Sequence, residues 1–464
     1  MPGALTSLNA SAINRAFPDV RKGPGKRVMP DHETQNPRDA HRWVVLGIIS
    51  AIYLLVYFHR VSTSVIVPDL LADFRTQATA LGFMSSMYFS VYALEQPLVG
   101  YLSDRLGPRR VVGFWTLAAA MGCVIFGLAP SIGWAAVGRG LIGLGVGGVY
   151  VPAMKAFSQW FLKKEFATLT GLLLAAGNLG AVVATTPLAW TAKAWGWRLN
   201  FLVIAGVTFA LAVAALTLIR DHNGDAKTGS GATDSLQNMG TGCLGTALQV
   251  MATPRFWILS VMFFGFFGTY LTFQGLWVTP YLMSMFGLDR ILASELTMVI
   301  AVGFMVGAPL GGWFADRVFH DRIHILINIL LLQILIWSVL IWGGSFLGPA
   351  GMTPVLFVMG AFAGGFATAL WAFVRETTPE TVMGITTGLL NPSPFLGVAM
   401  FQVVTGAVLD RVGRTGDLYP PEAYKNAFMI CLVTLLVCLA LCLALRKHLY
   451  AKEVQRASAW LGQK

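Results

Sequence analysis

Long apolar runs recur along the whole of this chain, each close to the roughly 20 residues that an α-helix needs to cross a bilayer. Short polar segments separate them, and no run contains more than two charged residues. We place twelve spans, at 43–67, 79–100, 111–129, 133–157, 167–190, 198–220, 254–283, 292–314, 323–344, 353–374, 382–408 and 424–445. The pattern predicts an all-α membrane protein with twelve transmembrane helices.

The composition excludes a soluble globular domain. Charged residues make up 12% of the chain and hydrophobic residues 56%, whereas a soluble domain is about 25% charged. A net charge of +11 can indicate a nucleic-acid partner, but here the basic residues lie in short segments between apolar runs, where they orient a membrane protein. We therefore expect a lipid bilayer around the chain and no nucleic-acid partner.

A polar, glycine-rich segment divides the chain into halves of similar length. We predict six-helix bundles at 43–220 and 254–446, joined by a cytosolic linker at 221–253. A disordered cytosolic tail is predicted at 1–42, which has no apolar core of a cleavable signal, and a second cytosolic tail at 447–464. With the N-terminus inside, Lys and Arg are more than three times as frequent in inner segments as in outer ones. This bias predicts an inner-membrane protein with both termini in the cytoplasm.

Nothing in the sequence indicates a cofactor, a metal site or an enzyme. The chain shows no phosphate-binding glycine loop and no nucleophile elbow. The five cysteines have neither a metal-ligand spacing nor a disulfide framework: Cys123, Cys243, Cys431, Cys438 and Cys442.

An internal repeat relates the two halves. The stretch Gly100-Tyr-Leu-Ser-Asp104-Arg105 returns as Gly312-Trp-Phe-Ala-Asp316-Arg317, and Thr170-Gly-Leu-Leu173 returns as Thr387-Gly-Leu-Leu390. Matches in the same order along both halves predict parallel repeats around an axis normal to the membrane, with a substrate bound between them near the midplane.

The first repeated motif, continued to Arg110, resembles the loop 2–3 signature of the major facilitator superfamily. Arg139-Gly-Leu-Ile-Gly143-Leu-Gly145 is similar to the superfamily's signature in helix 4. The resemblance covers both halves and implies two pseudo-symmetric six-helix bundles that transport a solute by alternating access. The glycine-proline antiport signature of drug exchangers is absent from helix 5, where Gly177-Asn178-Leu179-Gly180 stands instead.

The loop signatures are expected to close the inner gate, the alternative being simple positive-inside topology. Gly100 is expected to let helix 2 approach its neighbour, and Asp104 to accept hydrogen bonds from the N-terminal amides of another helix. For Lys155, an ion pair with Asp104 or a lipid headgroup is favoured over contact with a substrate. The remaining members of the predicted gate are Arg105, Arg109, Asp316 and Arg317.

Arg60 is the strongest candidate for a substrate contact. It lies inside the first span, and helical spacing places Tyr53, Tyr57 and Ser64 on its face. A guanidinium with phenol hydroxyls suits an anionic, oxygen-rich substrate. The alternative is an ion pair with an internal acid that holds the bundle together.

Arg60 also carries a resemblance to one branch of the superfamily. The spacing of Tyr57, Arg60 and Pro68 is similar to helix 1 of the sugar-phosphate permeases and organophosphate/phosphate antiporters, where the arginine binds phosphate. The branch's second arginine falls at Thr272, the repeat position of Arg60, and its helix 5 histidine falls at Gly177. These departures favour a monoanion, such as a carboxylate, over a doubly charged phosphate ester.

The predicted substrate site combines the Arg60 face with polar residues of helices 5, 7 and 11. Asn391 precedes two prolines, which free backbone carbonyls and often mark the broken helices that line transporter sites. Gln274 points away from the face of Thr272 unless helix 7 is kinked. The full set is Tyr53, Tyr57, Arg60, Asn178, Thr272, Gln274 and Asn391.

Three buried ionisable residues are candidates for proton coupling. Glu95 is the one acid well inside a predicted span, and a carboxyl group there can exchange protons near neutral pH. His59, next to Arg60, is the second candidate. Arg139 serves either coupling or helix pairing.

Together these patterns predict a monomeric secondary transporter for a small organic anion, driven by protons or by exchange. The alternatives are a nitrate-type porter of inorganic anions, an exporter of drugs or siderophores, and a non-transporting receptor of the same fold.

Overall fold

The structure is a computed structural model of the chain. It describes residues 41–162, 164–220, 244–317, 322–414, 416 and 418–461, with the side chains in these ranges except those of 167, 244, 314–316 and 448–461. Most of the predicted tail at 1–42 and of the linker at 221–253 lie outside the described residues. The described residues from His41 onwards form one compact unit.

Twelve helical segments follow one another in the order that the apolar runs predict. They are α1 (His41–Asp73), α2 (Ala78–Leu106), α3 (Pro108–Gly127), α4 (Ile132–Trp160), α5 (166–195), α6 (197–218), α7 (Pro254–Phe286), α8 (Arg290–Arg317), α9 (322–347), α10 (349–377), α11 (Glu380–Val412) and α12 (Pro421–Leu461).

Nine helical stretches among the described residues are long and apolar enough to cross a membrane. One of them, Arg322–Thr377, holds both α9 and α10. The more polar α2 and the interrupted α5 complete the twelve crossings.

The two halves repeat one packing pattern. In the first half α1 packs on α5, α2 on α4 and α3 on α6; in the second half α7 packs on α11, α8 on α10 and α9 on α12. Between the halves α2 lies against α11 and α5 against α8, which preserves the same symmetry. Two pseudo-symmetric six-helix bundles therefore face each other, as the internal repeat predicts.

Glycines with positive φ turn the chain where one crossing ends and the next begins. Gly196 (φ 79°) separates α5 from α6, and Gly348 (φ 63°) separates α9 from α10. A side chain would disfavour this left-handed backbone, so glycine fits both sites. Gly107 (φ 84°) followed by Pro108 at the first position of α3 ends α2 in the same way.

Several of the described helices are irregular inside the bundle, and α4, α7 and α11 are those that bear on the site. α4 breaks at 148–149, and α11 breaks at Asn391, where Pro392 starts a new helical segment because it has no N–H for the old one. α7 contains two π-helical turns, Phe263–Phe267 and Phe273–Trp277, which change the direction of the side chains that follow them.

Apolar side chains remain exposed around the outside of the bundle. Leu94 is 76% exposed, Phe346 89% and Trp134 55%. A surface of this kind is a liability in water but matches the acyl chains of a bilayer.

Two boundaries differ from the sequence prediction at the chain's ends. α1 begins at His41, inside the predicted tail, and α12 continues to Leu461, through most of the tail predicted at 447–464. Within the linker, Leu244–Met251 is helical.

Candidate functional site

A cavity of about 200 Å³ lies between the two halves, halfway along α1. Residues of α1, α5, α7, α8, α10 and α11 line it, so both bundles contribute. Five of the residues predicted to bind substrate are among them: Tyr57, Arg60, Asn178, Gln274 and Asn391. We call this space the central cavity.

The Arg60 guanidinium lies among aromatic rings rather than beside a carboxylate. Its Cζ atom is 4.5 Å from the ring centre of Tyr57, 5.4 Å from that of Tyr92 and 5.3 Å from that of Phe395. Within the described residues Arg60 forms no ion pair, and its buried Nε has no hydrogen-bond partner. The Tyr88 hydroxyl group hydrogen-bonds to the guanidinium, whereas the aromatic faces stabilise the cation without using its N–H donors. Arg60 therefore keeps donors that can bind an anion in the cavity.

Side-chain amides supply the other polar groups of the central cavity. Asn178 donates its amide hydrogen to the Leu174 carbonyl at 2.9 Å, which leaves its own carbonyl oxygen as an acceptor. Asn391, at the break in α11, donates to Gln96 Oε1 of the first half at 3.2 Å. Neutral amides of this kind suit hydroxyl groups as well as carboxylate oxygens.

Thr272 and Tyr53, two residues predicted to bind substrate, do not line the central cavity. Thr272 is 1% exposed and directs its hydroxyl to the Val398 carbonyl at 3.5 Å. Instead, the π-helical turns of α7 bring Gln274 to the cavity. Tyr53 is also buried, with its ring 5.4 Å from that of Tyr57. Tyr53 therefore packs against Tyr57 without lining the cavity itself.

Gly177, at the position of the branch's histidine, makes room for that tyrosine pair. A Cβ atom at this glycine would lie 2.9 Å from ring atoms of both Tyr53 and Tyr57. The missing side chain therefore allows α5 to pack directly against the aromatic face of α1.

His59 and Arg139 form a buried cluster inside the first half, away from the central cavity. Both are 0% exposed, and Arg139 donates a 3.0 Å hydrogen bond to the His59 carbonyl. The guanidinium lies 4.8 Å from the Tyr88 ring centre, and His59 Nε2 is 3.6 Å from Cys123 Sγ. Successive residues on a helix point about 100° apart, which explains why His59 does not share the cavity with Arg60.

Glu95, the third predicted coupling residue, lies where α4 is interrupted. One carboxylate oxygen accepts a 2.9 Å hydrogen bond from Trp115 Nε1, and the other has no partner within the described residues. That second oxygen lies against Gly147, where even a methyl group would collide with it. Glu95 is 5% exposed and does not line the central cavity.

The first loop signature forms contacts within the first half. Lys155 Nζ is 2.9 Å from Asp104 Oδ1 and also 2.9 Å from the Ser103 carbonyl. This is the predicted ion pair, and it joins α4 to α2. Arg105 donates to the Tyr101 hydroxyl at 2.9 Å, and Arg109 donates to the Leu216 carbonyl at 2.6 Å.

Two contacts predicted for the gate are not formed in this conformation. A Cβ atom at Gly100 would meet nothing within 4 Å, so close packing does not explain this glycine. Asp104 pairs with Lys155, not with helix amides, because its carboxylate is exposed at the end of α2. In the second signature Arg317 lies 5.9 Å from the Trp313 ring centre, and the side chain of Asp316 lies outside the described residues.

Contacts between the halves close the bundle at the end opposite to Asp104. We call the end that carries Asp104 the inner end and the opposite end the outer end, after the predicted orientation. At the outer end Asp410 Oδ1 accepts from the Ala78 amide at 2.9 Å, and Arg290 pairs with Asp69 at 2.6 Å. Arg414 donates to the Thr76 carbonyl in the same region.

Sequence reasoning missed the aromatic part of the cavity and these bridges. The aromatic lining is Phe263, Phe267, Tyr270, Phe304, Trp371 and Phe395. Such residues are common throughout the chain, so their type alone carries no signal. The bridges join residues that are far apart in the chain and show no local motif.

The sequence and the fold both match known proteins. The Major Facilitator Superfamily profile matches residues 49–400. A solved bacterial homologue of the human lysosomal transporter Spinster, in an inward-facing and occupied conformation, superposes with a TM-score of 0.70 at 17% identity, over 88% of this chain and 97% of that chain.

Three curated relatives are named for transport or sensing. The hexuronate transporter of Escherichia coli K12 is 22% identical over 80% of this chain and 88% of its own length. The probable sulfoacetate transporter SauU of Cupriavidus necator is 27% identical, but the match spans 60% of this chain and 66% of the relative. The membrane sensor protein UhpC of Escherichia coli K12 is 22% identical over 77% of this chain and 84% of its length.

These matches confirm the predicted fold and are consistent with the predicted branch of the superfamily. Because the profile covers most of the twelve helices, the resemblance is not confined to one motif. The chain is an integral membrane protein and a member of the major facilitator superfamily.

Proposed function

We propose that this protein is a secondary active transporter that carries a small organic monoanion across the inner membrane by alternating access. The observation that carries the proposal is Arg60. Its guanidinium lies in a cavity shared by both halves, with no carboxylate partner among the described residues. A buried guanidinium without a counter-ion is costly, and a bound anion would offset that cost.

A single negative charge fits the central cavity better than two. Arg60 is the one cationic side chain among the described residues that line it, and the repeat position holds the neutral Thr272. The amides of Asn178, Gln274 and Asn391 can bind hydroxyl or carbonyl groups of the same molecule. The hexuronate and sulfoacetate transporters among the relatives support a small organic acid as the class of substrate.

Contacts between the halves at the outer end support the proposal of alternating access. The contacts of Asp69, Asp410 and Arg414 with the opposite half hold the outer end shut. In the opposite state, these contacts would break and the signature loops around Asp104 and Asp316 would close the inner end. We infer from the bias of Lys and Arg that the inner end, the linker and both termini face the cytoplasm. We also expect the protein to act as a monomer, since each chain holds a complete cavity.

Glu95 is the group that we assign to proton coupling, with His59 and Arg139 as further candidates. The Glu95 carboxyl group is buried, has one free oxygen among the described contacts and lies at the break in α4. A change in its charge would therefore act on a helix that is already interrupted. Exchange of one anion for another remains the alternative mode of coupling.

Uptake of labelled anions into proteoliposomes tests the proposed function. We expect a hexuronate or another sugar-acid monoanion to accumulate, Arg60→Ala to abolish uptake and Arg60→Lys to retain part of it. Arg220→Gln is the matched control, because Arg220 is exposed and lies outside the central cavity. Uptake that is indifferent to Arg60→Ala contradicts the anion site.

The match to UhpC makes a non-transporting sensor the second candidate. A sensor would bind the anion through the same Arg60 but would not exchange it across the membrane. Counterflow distinguishes the two functions, because only a transporter moves labelled anion into vesicles that are preloaded with the unlabelled anion. Binding without counterflow would favour the sensor.

A further inference from the structure

A second cavity, of about 490 Å³, lies at the inner end of the second half. It is formed by the last turns of α10 and the first turns of α11, and its lining residues are Trp371, Val374, Arg375, Glu380, Met383 and Thr387. Trp371 also lines the central cavity. Trp371 therefore lines both spaces.

Residues one helical turn apart on α10 and on α11 connect the lining of the central cavity with that of the second cavity. Trp371 and Arg375 are one turn apart on α10, so they share a face. On α11, Thr387 and Asn391 are one turn apart as well; Thr387 lines the second cavity and Asn391 lines the central one. A track of polar groups thus leads from the Arg60 site towards the inner end.

Arg375 is a guanidinium with its donors available. It is exposed, and no hydrogen bond or ion pair joins it to any residue that the structure describes. Its neighbours are occupied, since Arg322 pairs with Glu376 at 2.8 Å and Arg255 donates to the Thr377 carbonyl at 2.6 Å. Arg375 differs from them in having none of these contacts within the described residues.

Glu380 places a negative charge in the same cavity. Within the described residues this carboxylate forms no ion pair with Arg375, so it lowers the net charge of the cavity without occupying the guanidinium. When an anion is present, it competes with that anion and weakens its binding. A cavity that holds both Arg375 and Glu380 is therefore suited to weak binding and fast release of an anion.

We propose that this cavity is a second anion site, the inner subsite, in which Arg375 binds the carboxylate of the substrate between Arg60 and the cytoplasm. The inner subsite rests on the proposed anion transport and adds a residue that governs release and rebinding at the inner end. A phosphate oxygen of a lipid headgroup has the same chemistry, so the test must separate the two sources.

Charge rescue at position 375 tests the inner subsite. The variant Arg375→Cys is assayed in inside-out vesicles. Cys243→Ser is added to it, because the other four cysteines of the chain are buried and only Cys243 lies outside the described residues. We expect the half-saturation concentration of a hexuronate to rise about fivefold, the effect of removing one partly exposed charge. Modification of the new cysteine with a cationic methanethiosulfonate should restore the wild-type half-saturation concentration. Modification with an anionic methanethiosulfonate should raise the half-saturation concentration further. Arg220→Cys, also exposed but outside both cavities, should change nothing.

Protection from labelling locates the anion directly. Hexuronate should slow modification of Thr387→Cys, a variant in the same cavity that retains Arg375, and it should still do so when Arg60→Ala is added. The inner subsite is contradicted if hexuronate gives no protection, if the two reagents act alike, or if the effect of Arg375→Cys disappears in liposomes without anionic lipid. Loss of protection on adding Arg60→Ala also contradicts it, since the central site would then explain the protection. Failure of the proposed function would give a different result. Uptake would then be unchanged by Arg60→Ala, whether or not Arg375→Cys altered it.

Discussion

Asp410 Oδ2, near the end of α11 in the second half, accepts a 2.8 Å hydrogen bond from the backbone amide of Thr79 in the first turn of α2. Its other oxygen accepts from the Ala78 amide. Burial and the hydrogen bond to Asp410 raise the pKa of Tyr419 to about 12, so this phenol remains a donor at physiological pH. An acid of one half thus caps a helix of the other half, at the positive end of its dipole.

Asp410→Ala should therefore favour the state that is open at the outer end. A lost cap costs about 1–2 kcal/mol, which would raise the population of that state roughly 5- to 30-fold. Ser64→Cys reports the change, because Ser64 is 0% exposed and bonds to Thr279 of the other half at 3.0 Å. We expect faster labelling of this cysteine from the outer side.

Asp289→Ala is the matched control for the outer cap. Asp289 is at the same end and accepts from the Leu292 amide at 2.9 Å, but this contact stays within one half. Equal labelling rates in the two variants would show that the bridge from Asp410 does not hold the outer end closed.

Gly177→Ala should weaken anion binding by displacing Tyr57. The new methyl group would lie 2.9 Å from both tyrosine rings, so at least one ring must move. We expect the half-saturation concentration for uptake to rise and the free energy of unfolding to fall by about 1–3 kcal/mol.

Gly171→Ala, on the same helix, separates this effect from helix propensity. A Cβ atom there meets nothing within 4 Å, and alanine favours a helix over glycine by about 0.5–1 kcal/mol. The control should transport normally and be at least as stable. A Gly177→Ala protein that behaves like Gly171→Ala would contradict the packing argument.

Glu95→Gln should remove the dependence of transport on a proton gradient. Wild-type uptake is expected to increase as the outer pH falls, because protonation neutralises a buried charge; the variant, neutral at every pH, should respond little. Counterflow of the anion should persist. Trp115→Phe removes only the hydrogen bond to Glu95 and should shift the pH profile without flattening it. A flat profile in the wild type, or an unchanged profile in Glu95→Gln, would exclude this residue as the coupling group.

The sequence predicts the fold well because its signals are local or repeated. The apolar runs define the twelve helices, and the motif that starts at Gly100 and returns at Gly312 relates the halves. A spacing of 3.6 residues is also enough to place Tyr57 beside Arg60 on α1, where the helix is regular.

The same reasoning fails on α7, where the helix is irregular. Regular spacing assigns Thr272 to the cavity, but the π-helical turns bring Gln274 there. Asp410 and Arg375 have no local signature at all, because their surroundings come from other helices. Such contacts depend on the packing of the bundle and not on any short stretch of sequence.

Equilibrium binding of a hexuronate-type monoanion to the purified protein tests the central claim most directly, since binding needs neither coupling nor orientation. A hydrogen-bonded charge contributes about 1.5–3 kcal/mol, so Arg60→Ala should weaken binding at least tenfold and Arg60→Lys should weaken it less. Equal affinity of the wild type and Arg60→Ala for every anion that binds would contradict the account.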